Sequence, residues 1–280
     1  MKKAFALLSI GILTSIALST EAATCCKKYH KKWKTCCIKH DACCVKRTAP
    51  SKEMNLAAQP KPITGDPNFN FFERVSGSLA FTTNYVFRGI SQTSNLPAVQ
   101  GGLTYTFPIG IYLNAWGSNV KFTDSTANIE IDTILGIRQS IGDNFTYDIN
   151  IDRYNYPGAS ATAYNELNTL FNYRFLQAGV SYSGNVYNAH TSGLYINGGI
   201  NYQIPQKFVF DLKDVNLIAL MGRYKLGGAA GNSYTDYNIA LNKKLSDIYS
   251  LGFQWASTNG QTRNRPYDRD LFIGTFSANF

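Results

Sequence analysis

The chain has 280 residues, of which 16% are charged and 14% aromatic, and its mean hydropathy is −0.19. That average suits a soluble protein, and equally a membrane barrel whose strands alternate apolar and polar residues. The net charge of +9 is unevenly placed: residues 24–65 carry ten Lys and Arg against Asp41 and Glu53, whereas residues 66–280 carry fifteen basic and fifteen acidic side chains. The main part of the chain is neutral, which excludes a nucleic-acid-binding domain despite the basic total.

Residues 1–22 read as a secretory signal peptide. Lys2-Lys3 supplies the positive start, Ala4 to Leu18 the apolar middle, and Thr20-Glu21-Ala22 the small residues that a signal peptidase reads. The apolar stretch is short for a membrane-spanning helix. Thr24 precedes Cys25, where a lipoprotein signal needs a small residue.

Residues 23–48 form a basic, Cys-rich arm. All six Cys lie here as three adjacent pairs, Cys25-Cys26, Cys36-Cys37 and Cys43-Cys44. In an oxidising compartment an even count favours disulfides between the clusters, with the pairing left open. His30 and His40 add imidazoles, but none of the usual zinc spacings is present, so no metal and no cofactor is expected. The Lys-rich face suits an anionic periplasmic partner. Residues 49–73, with Pro50, Pro60, Pro62, Gly65 and Pro67, read as a Pro-rich linker.

From residue 74 the pattern has a period of two. Phe145-Thr146-Tyr147-Asp148-Ile149-Asn150-Ile151-Asp152 alternates four apolar with four polar residues, as a strand with one apolar face requires. Twelve such segments are expected, at about 74–86, 97–107, 110–121, 127–139, 144–156, 163–175, 177–186, 193–204, 215–226, 233–243, 248–258 and 269–280. These lengths fit tilted membrane strands, which need about 9–11 residues to cross. Tight turns at 108–110, 141–143 and 246–247 alternate with longer polar loops near 87–96, 157–162, 227–232 and 259–268. Short turns on one side and long loops on the other imply an all-β, antiparallel up-and-down transmembrane β-barrel over residues 74–280. In the last segment Phe272, Gly274, Phe276, Ala278 and Phe280 share a face, and Phe280 at the interface is the expected signal for the barrel-assembly machinery.

One stretch also carries a family likeness. Val75-Ser76-Gly77, then Thr83-Asn84-Tyr85-Val86-Phe87-Arg88-Gly89-Ile90-Ser91-Gln92 and Pro97-Ala98-Val99-Gln100-Gly101-Gly102, resembles the TorF-type outer-membrane porins. Matches continue through Ala115-Trp116-Gly117-Ser118-Asn119-Val120 and Tyr154-Asn155-Tyr156-Pro157-Gly158, so the resemblance covers about residues 74–280. The residues that carry it are Tyr85, Arg88, Gly89, Gln100, Gly101, Gly102, Trp116 and Pro157. The resemblance implies a barrel and a pore in the outer membrane of a Gram-negative cell. It brings no catalytic residues and says nothing of the Cys-rich arm.

The polar face of each strand should line the lumen. Pairing across the 141–143 turn brings Glu130 and Asp132 near Asp152, and the next strand brings Glu166 beside Asp152, so four carboxylates gather in one half of the lumen. Asp148 lies lower on the same face, and Arg138, Arg174 and Arg223 are the basic candidates, with Lys225 beside Arg223. Opposed acidic and basic walls would select small polar solutes or ions. Alternatively Arg138, Arg174 or Arg88 pairs with the acids and closes the lumen. Function therefore reads as a passive diffusion channel, not an enzyme, in the outer membrane, with lipid around it and the arm in the periplasm. Two other readings are a non-conducting structural or adhesive barrel, and a lipid hydrolase built on His190 and Ser192.

Overall fold

The computed structural model describes residues 74–280 apart from positions 124, 160–161, 209–211 and 261–266. The signal peptide, the Cys-rich arm and the linker expected over residues 1–73 lie outside the described residues. Twelve long antiparallel strands close into one barrel, and a two-stranded hairpin lies apart from its wall. The barrel strands are β1 (Val75–Thr82), β4 (Ala98–Thr106), β5 (Ile111–Asn119), β6 (Ile129–Ile141), β7 (Phe145–Asn155), β8 (Tyr164–Tyr173), β9 (Leu176–Ser183), β10 (Gly193–Ile204), β11 (Val215–Leu226), β12 (Tyr234–Lys244), β13 (Tyr249–Thr258) and β14 (Leu271–Asn279). The hairpin is β2 (Val86–Phe87) with β3 (Ile90–Ser91).

The wall is inverted relative to a water-soluble protein. Leu79, Leu103, Leu135, Ile151, Met221, Phe253 and Phe272 are exposed on the outside, whereas Gln100, Thr104, Asn114, Asp132, Glu166 and Asp236 are buried inside. Strand alternation produces this directly, since one parity is apolar and the other polar. An apolar belt around a closed sheet is the arrangement a bilayer accepts, because every strand finds its backbone partners on both sides. At the short-turn end aromatic rings pair across the outer surface: Tyr105 with Phe107, Phe145 with Phe171, Phe175 with Tyr202 and Tyr249 with Phe276. They make the interfacial girdle expected of such barrels.

Closure falls between the first and last strands. β1 runs against β14 from Ser78–Asn279 to Thr82–Thr275, and two further bonds extend the seam, Gly77 N–H to the Phe280 carbonyl (2.6 Å) and Phe280 N–H to the Gly77 carbonyl (3.0 Å). The exposed Phe280 ring lies over Gly77, where an added Cβ would stand 2.7 Å from the ring tip.

The described turns at the two ends differ much as the sequence suggests, with one exception. The connection between β10 and β11 at 205–214 is long although it lies at the short-turn end. The larger departure is in the first segment, expected to run to residue 86. β1 stops at Thr82, whose hydroxyl donates to the Asn84 carbonyl (2.9 Å), and the chain turns into the lumen to form the β2–β3 hairpin.

Replacing Phe280 with Ser removes the ring that covers the seam. The fraction of protein reaching the heat-modifiable folded form should fall several-fold on gel electrophoresis, and unchanged folded levels would refute the role.

Candidate functional site: a hairpin held in the lumen

The β2–β3 hairpin is the shortest loop a hairpin allows. Phe87 pairs with Ile90, leaving Arg88 and Gly89 as the two turn residues, with φ of 48° and 79°. Both angles positive is the type I′ turn, whose twist matches the flanking strands and which favours Asn-Gly or Gly-Gly. Arg at the first position costs about 1 kcal/mol of backbone strain, so its side chain must repay the choice. Gly89 is needed for space as well: an added Cβ would lie 2.6 Å from Thr258 Cγ2 and 2.8 Å from Asp236 Cβ, on the wall made by β12 and β13.

Polar side chains fix the root of the hairpin. Ser91 donates its hydroxyl to Asn84 Oδ1 (2.6 Å), Asn84 Nδ2 donates to Asn95 Oδ1 (3.0 Å), and the Asn95 N–H donates to Ser91 Oγ (2.8 Å). Backbone bonds tie it to neighbours, Ser91 N–H to the Tyr267 carbonyl (2.7 Å) and Lys121 N–H to the Gln92 carbonyl (2.8 Å). Its apolar side chains wedge into two clusters. Tyr85, Phe87 and Ile90 pack on the buried tyrosines Tyr154, Tyr164, Tyr195, Tyr224 and Tyr234, and Val86 packs on Ala256, Leu271 and Ile273. Fully buried Val186 and its neighbour Tyr187, from the 184–192 loop, join from above, Tyr187 standing edge-on to Tyr164 at 5.3 Å.

Arg88 then enters a cage. Its guanidinium forms two hydrogen bonds with the Glu166 carboxylate, 3.0 and 2.6 Å, and lies 4.6, 4.3 and 4.6 Å from the ring centroids of Phe87, Tyr195 and Tyr224. Glu166, on β8, is 1% exposed and also accepts from the Tyr154 hydroxyl at 3.3 Å. A planar guanidinium matches both a carboxylate edge and an aromatic face, which an ammonium does less well.

The remaining acids stand around this pair. Register places Asp152 directly opposite Glu166, Asp132 opposite Tyr154, and Glu130 two residues before Asp132 on the same face. Tyr156 donates to Glu130 (2.9 Å) and Tyr195 to Asp236 (3.1 Å). One oxygen in each of Glu130, Asp132, Asp152 and Asp236 is buried without a hydrogen-bond partner. Asp148 belongs to a separate group nearer the short turns, where Arg138 is bound to it from directly across the β6–β7 pair, and Tyr112 donates to it at 2.8 Å.

Two of the basic candidates are elsewhere. Arg223 is exposed on the outer face and donates to Thr235 at 3.2 Å, because Tyr224, its neighbour, is the residue that pairs with Tyr195 inside. Lys225 shares the outward parity. Arg174 is an exposed turn residue with φ of 57° between β8 and β9, so it lines nothing. Gln100 is buried in the lumen wall, and Gly102 leaves room for the Trp116 ring, an added Cβ standing 3.2 Å from it. Trp116 in turn meets Tyr85 edge-on at 5.5 Å. Gly101 lies on the outward parity, and Pro157 begins the turn after Tyr156. The tyrosine cage and Asp236 went unread in sequence, although Tyr154 and Tyr164 share the polar parity of their strands and that parity was the available signal. His190 is exposed in the 184–192 loop, its N–H donated to Asn185.

Breaking a buried ion pair from one side costs about 3–5 kcal/mol. Glu166→Gln should therefore loosen the hairpin, and exchange of the Ser91 amide hydrogen should accelerate at least about a hundredfold. Unchanged protection would mean that the pair does not hold the hairpin.

No curated protein sequence matches the chain. Among solved structures it is similar to a KdgM porin (9% identity, TM-score 0.47, covering 73% of this chain and 98% of that one). It is also similar to a NanC porin (8%, 0.45, 73% and 97%), and to an outer membrane channel from Pseudomonas putida F1 (8%, 0.43, 82% and 98%). A family described as "Bacterial protein of unknown function (Gcw_chp)" matches residues 71–272, a span that takes in the hairpin, the tyrosine cage and every strand except most of the last, and the chain belongs to that family.

Proposed function

We propose that the protein is an outer-membrane channel for small polar solutes or ions, with the β2–β3 hairpin as its constriction. One observation carries the reading: the apolar-clad barrel has a polar lumen, and beside the hairpin this lumen holds a cavity of about 220 Å³ lined by Ser78, Gln100, Asn238, Asn242, Gln254 and Ser277 among others. A structural barrel has no need of a hydrated interior, whereas a solute path does. The resemblance of residues 74–280 to the TorF-type porins supports the same reading. The short-turn end would face the periplasm, together with the signal-cleaved amino-terminal arm and its anionic partner, and the long loops would face outward.

In this reading the lumen divides in two. The half toward the short turns holds the cavity and carries Arg74, Arg138 and Asp148 among its charged groups, while the other half is filled by the hairpin and ringed by Glu130, Asp132, Asp152, Glu166 and Asp236. Passage then requires the hairpin to move, and the Arg88–Glu166 pair sets how often it does.

Full-length protein in a planar bilayer should give small, infrequent conductance steps. Arg88→Ala should lengthen the time spent open by about a hundredfold, the factor corresponding to ~3 kcal/mol taken from the closed state. Silence from both proteins, each verified as folded by heat modifiability, would retire the channel in favour of a structural barrel.

A further inference from the structure

The cage that holds Arg88 is built almost wholly by the barrel wall. Glu166 comes from β8, Tyr154 from β7, Tyr195 from β10 and Tyr224 from β11, and only Phe87 belongs to the hairpin. When the hairpin withdraws, its guanidinium leaves with it, and the carboxylate and two of the three rings stay in place. We infer that this cage is a binding site for a solute bearing a guanidinium group, and that Arg88 is the internal occupant which such a solute replaces. The inference deepens the channel reading and rests on it for the solute's route, although the site can be tested without the route.

Three independent features point to a cation of this kind. Geometry comes first: a carboxylate edge that accepts two parallel N–H bonds, with aromatic faces 4.3 and 4.6 Å from the guanidinium carbon, fits a flat cation better than a spherical one. Charge is the second. Arg88 answers one carboxylate, yet Asp132 (4% exposed) and Asp152 (7%) are buried beside it, each with an oxygen that has no partner. A buried carboxylate must find a proton or a cation, so the site holds acidic groups that the hairpin leaves without a cation. The third is the hairpin tip, which accepts a positive φ at a non-glycine residue in order to present Arg. An Asn would fit that turn with less strain, and what Arg brings there instead is the guanidinium bound to Glu166.

The exchange is a displacement with no bond made or broken covalently. A guanidinium-bearing solute approaching from the long-loop side meets the acids first, competes with Arg88 for Glu166, and passes into the polar half as the hairpin reseats. An anion meets the same acids as a barrier, as charged rings in pores dictate.

Two measurements test this. In detergent, the Arg88→Ala variant should lose thermal stability and regain it on addition of millimolar guanidinium chloride, with ammonium chloride and sodium chloride at the same ionic strength restoring much less. The same variant carrying Glu166→Gln should not respond. In proteoliposomes made with the unaltered full-length protein, L-arginine should enter about tenfold faster than L-glutamate, a ratio worth one decade of selectivity. Equal effects of guanidinium and ammonium on the variant, or equal entry of arginine and glutamate, would overturn the site. If guanidinium rescues the variant but no solute enters, the channel falls and the cage stands; if both solutes enter alike and rescue fails, the cage falls and the channel stands. The entry ratio needs no variant: where Arg88→Ala does not fold, arginine entering faster than glutamate supports the site, and equal entry or no entry of either overturns it.

Discussion

In a bilayer an unpaired strand edge is too costly to keep, since no water is present to satisfy the exposed N–H and C=O groups. Everything else in this barrel follows from meeting that constraint. Among the described barrel strands, the seam between β1 and β14 is where the first strand meets the last, and it closes with reciprocal Gly77–Phe280 bonds. Once closed, the alternation of each strand sends apolar groups out and polar groups in, and the polar set is left facing itself across a confined space. A polar interior surrounded by lipid must be hydrated, hydrogen-bonded or filled. This protein uses all three: a cavity beside the hairpin, side-chain networks at Arg138–Asp148 and Tyr112, and a hairpin at the other end.

The filling is of a particular kind. A loop folded into a lumen could be held by apolar packing alone, and here Tyr85, Phe87 and Ile90 supply plenty. Burying Arg88 as well adds a desolvation cost of several kcal/mol that is recovered only by the two-point bond to Glu166 and the surrounding rings. Such a pair contributes little net stability compared with an apolar substitute, yet it makes the docked position specific and makes it respond to anything that competes for either charge. That combination suits an element meant to leave and return.

Much of the wall was legible in the sequence, because lipid outside and water inside keep the two parities apart. β7 is the clearest case, its Phe145–Asp152 stretch alternating without a break, and the number of barrel strands and most of their limits follow from such runs. β11 shows where the signal fails. Leu217-Ile218-Ala219-Leu220-Met221 is apolar on both parities, since Ile218 and Leu220 line the cavity, so the run gives no phase and the sequence by itself allows Arg223 to face inward. The cross-strand partner resolves it: Tyr224 faces Tyr195, and the missing side chain of Gly222 leaves room for the Tyr195 hydroxyl. Arg174 failed for another reason, since the alternation was carried one residue past the end of β8 into a two-residue turn.

The hairpin was hidden because its residues continue the pattern of β1. Tyr85-Val86-Phe87 is rich in residues that favour strands and reads as an extension of β1, and the break lies in Asn84, whose side chain takes the place of a ladder partner by bonding Ser91 and Asn95. Only then does Arg88-Gly89 become a turn. The charges show why the position matters. Five lumen acids gather where the hairpin sits, and among the described residues Arg88 is the base that pairs with one of them. Had evolution of this fold required only closure, a neutral tip against neutral walls would hold at lower desolvation cost. The cage thus holds one guanidinium beside carboxyl groups that have oxygens without partners, and in the proposed reading this ties the hairpin's docking to the cations around it.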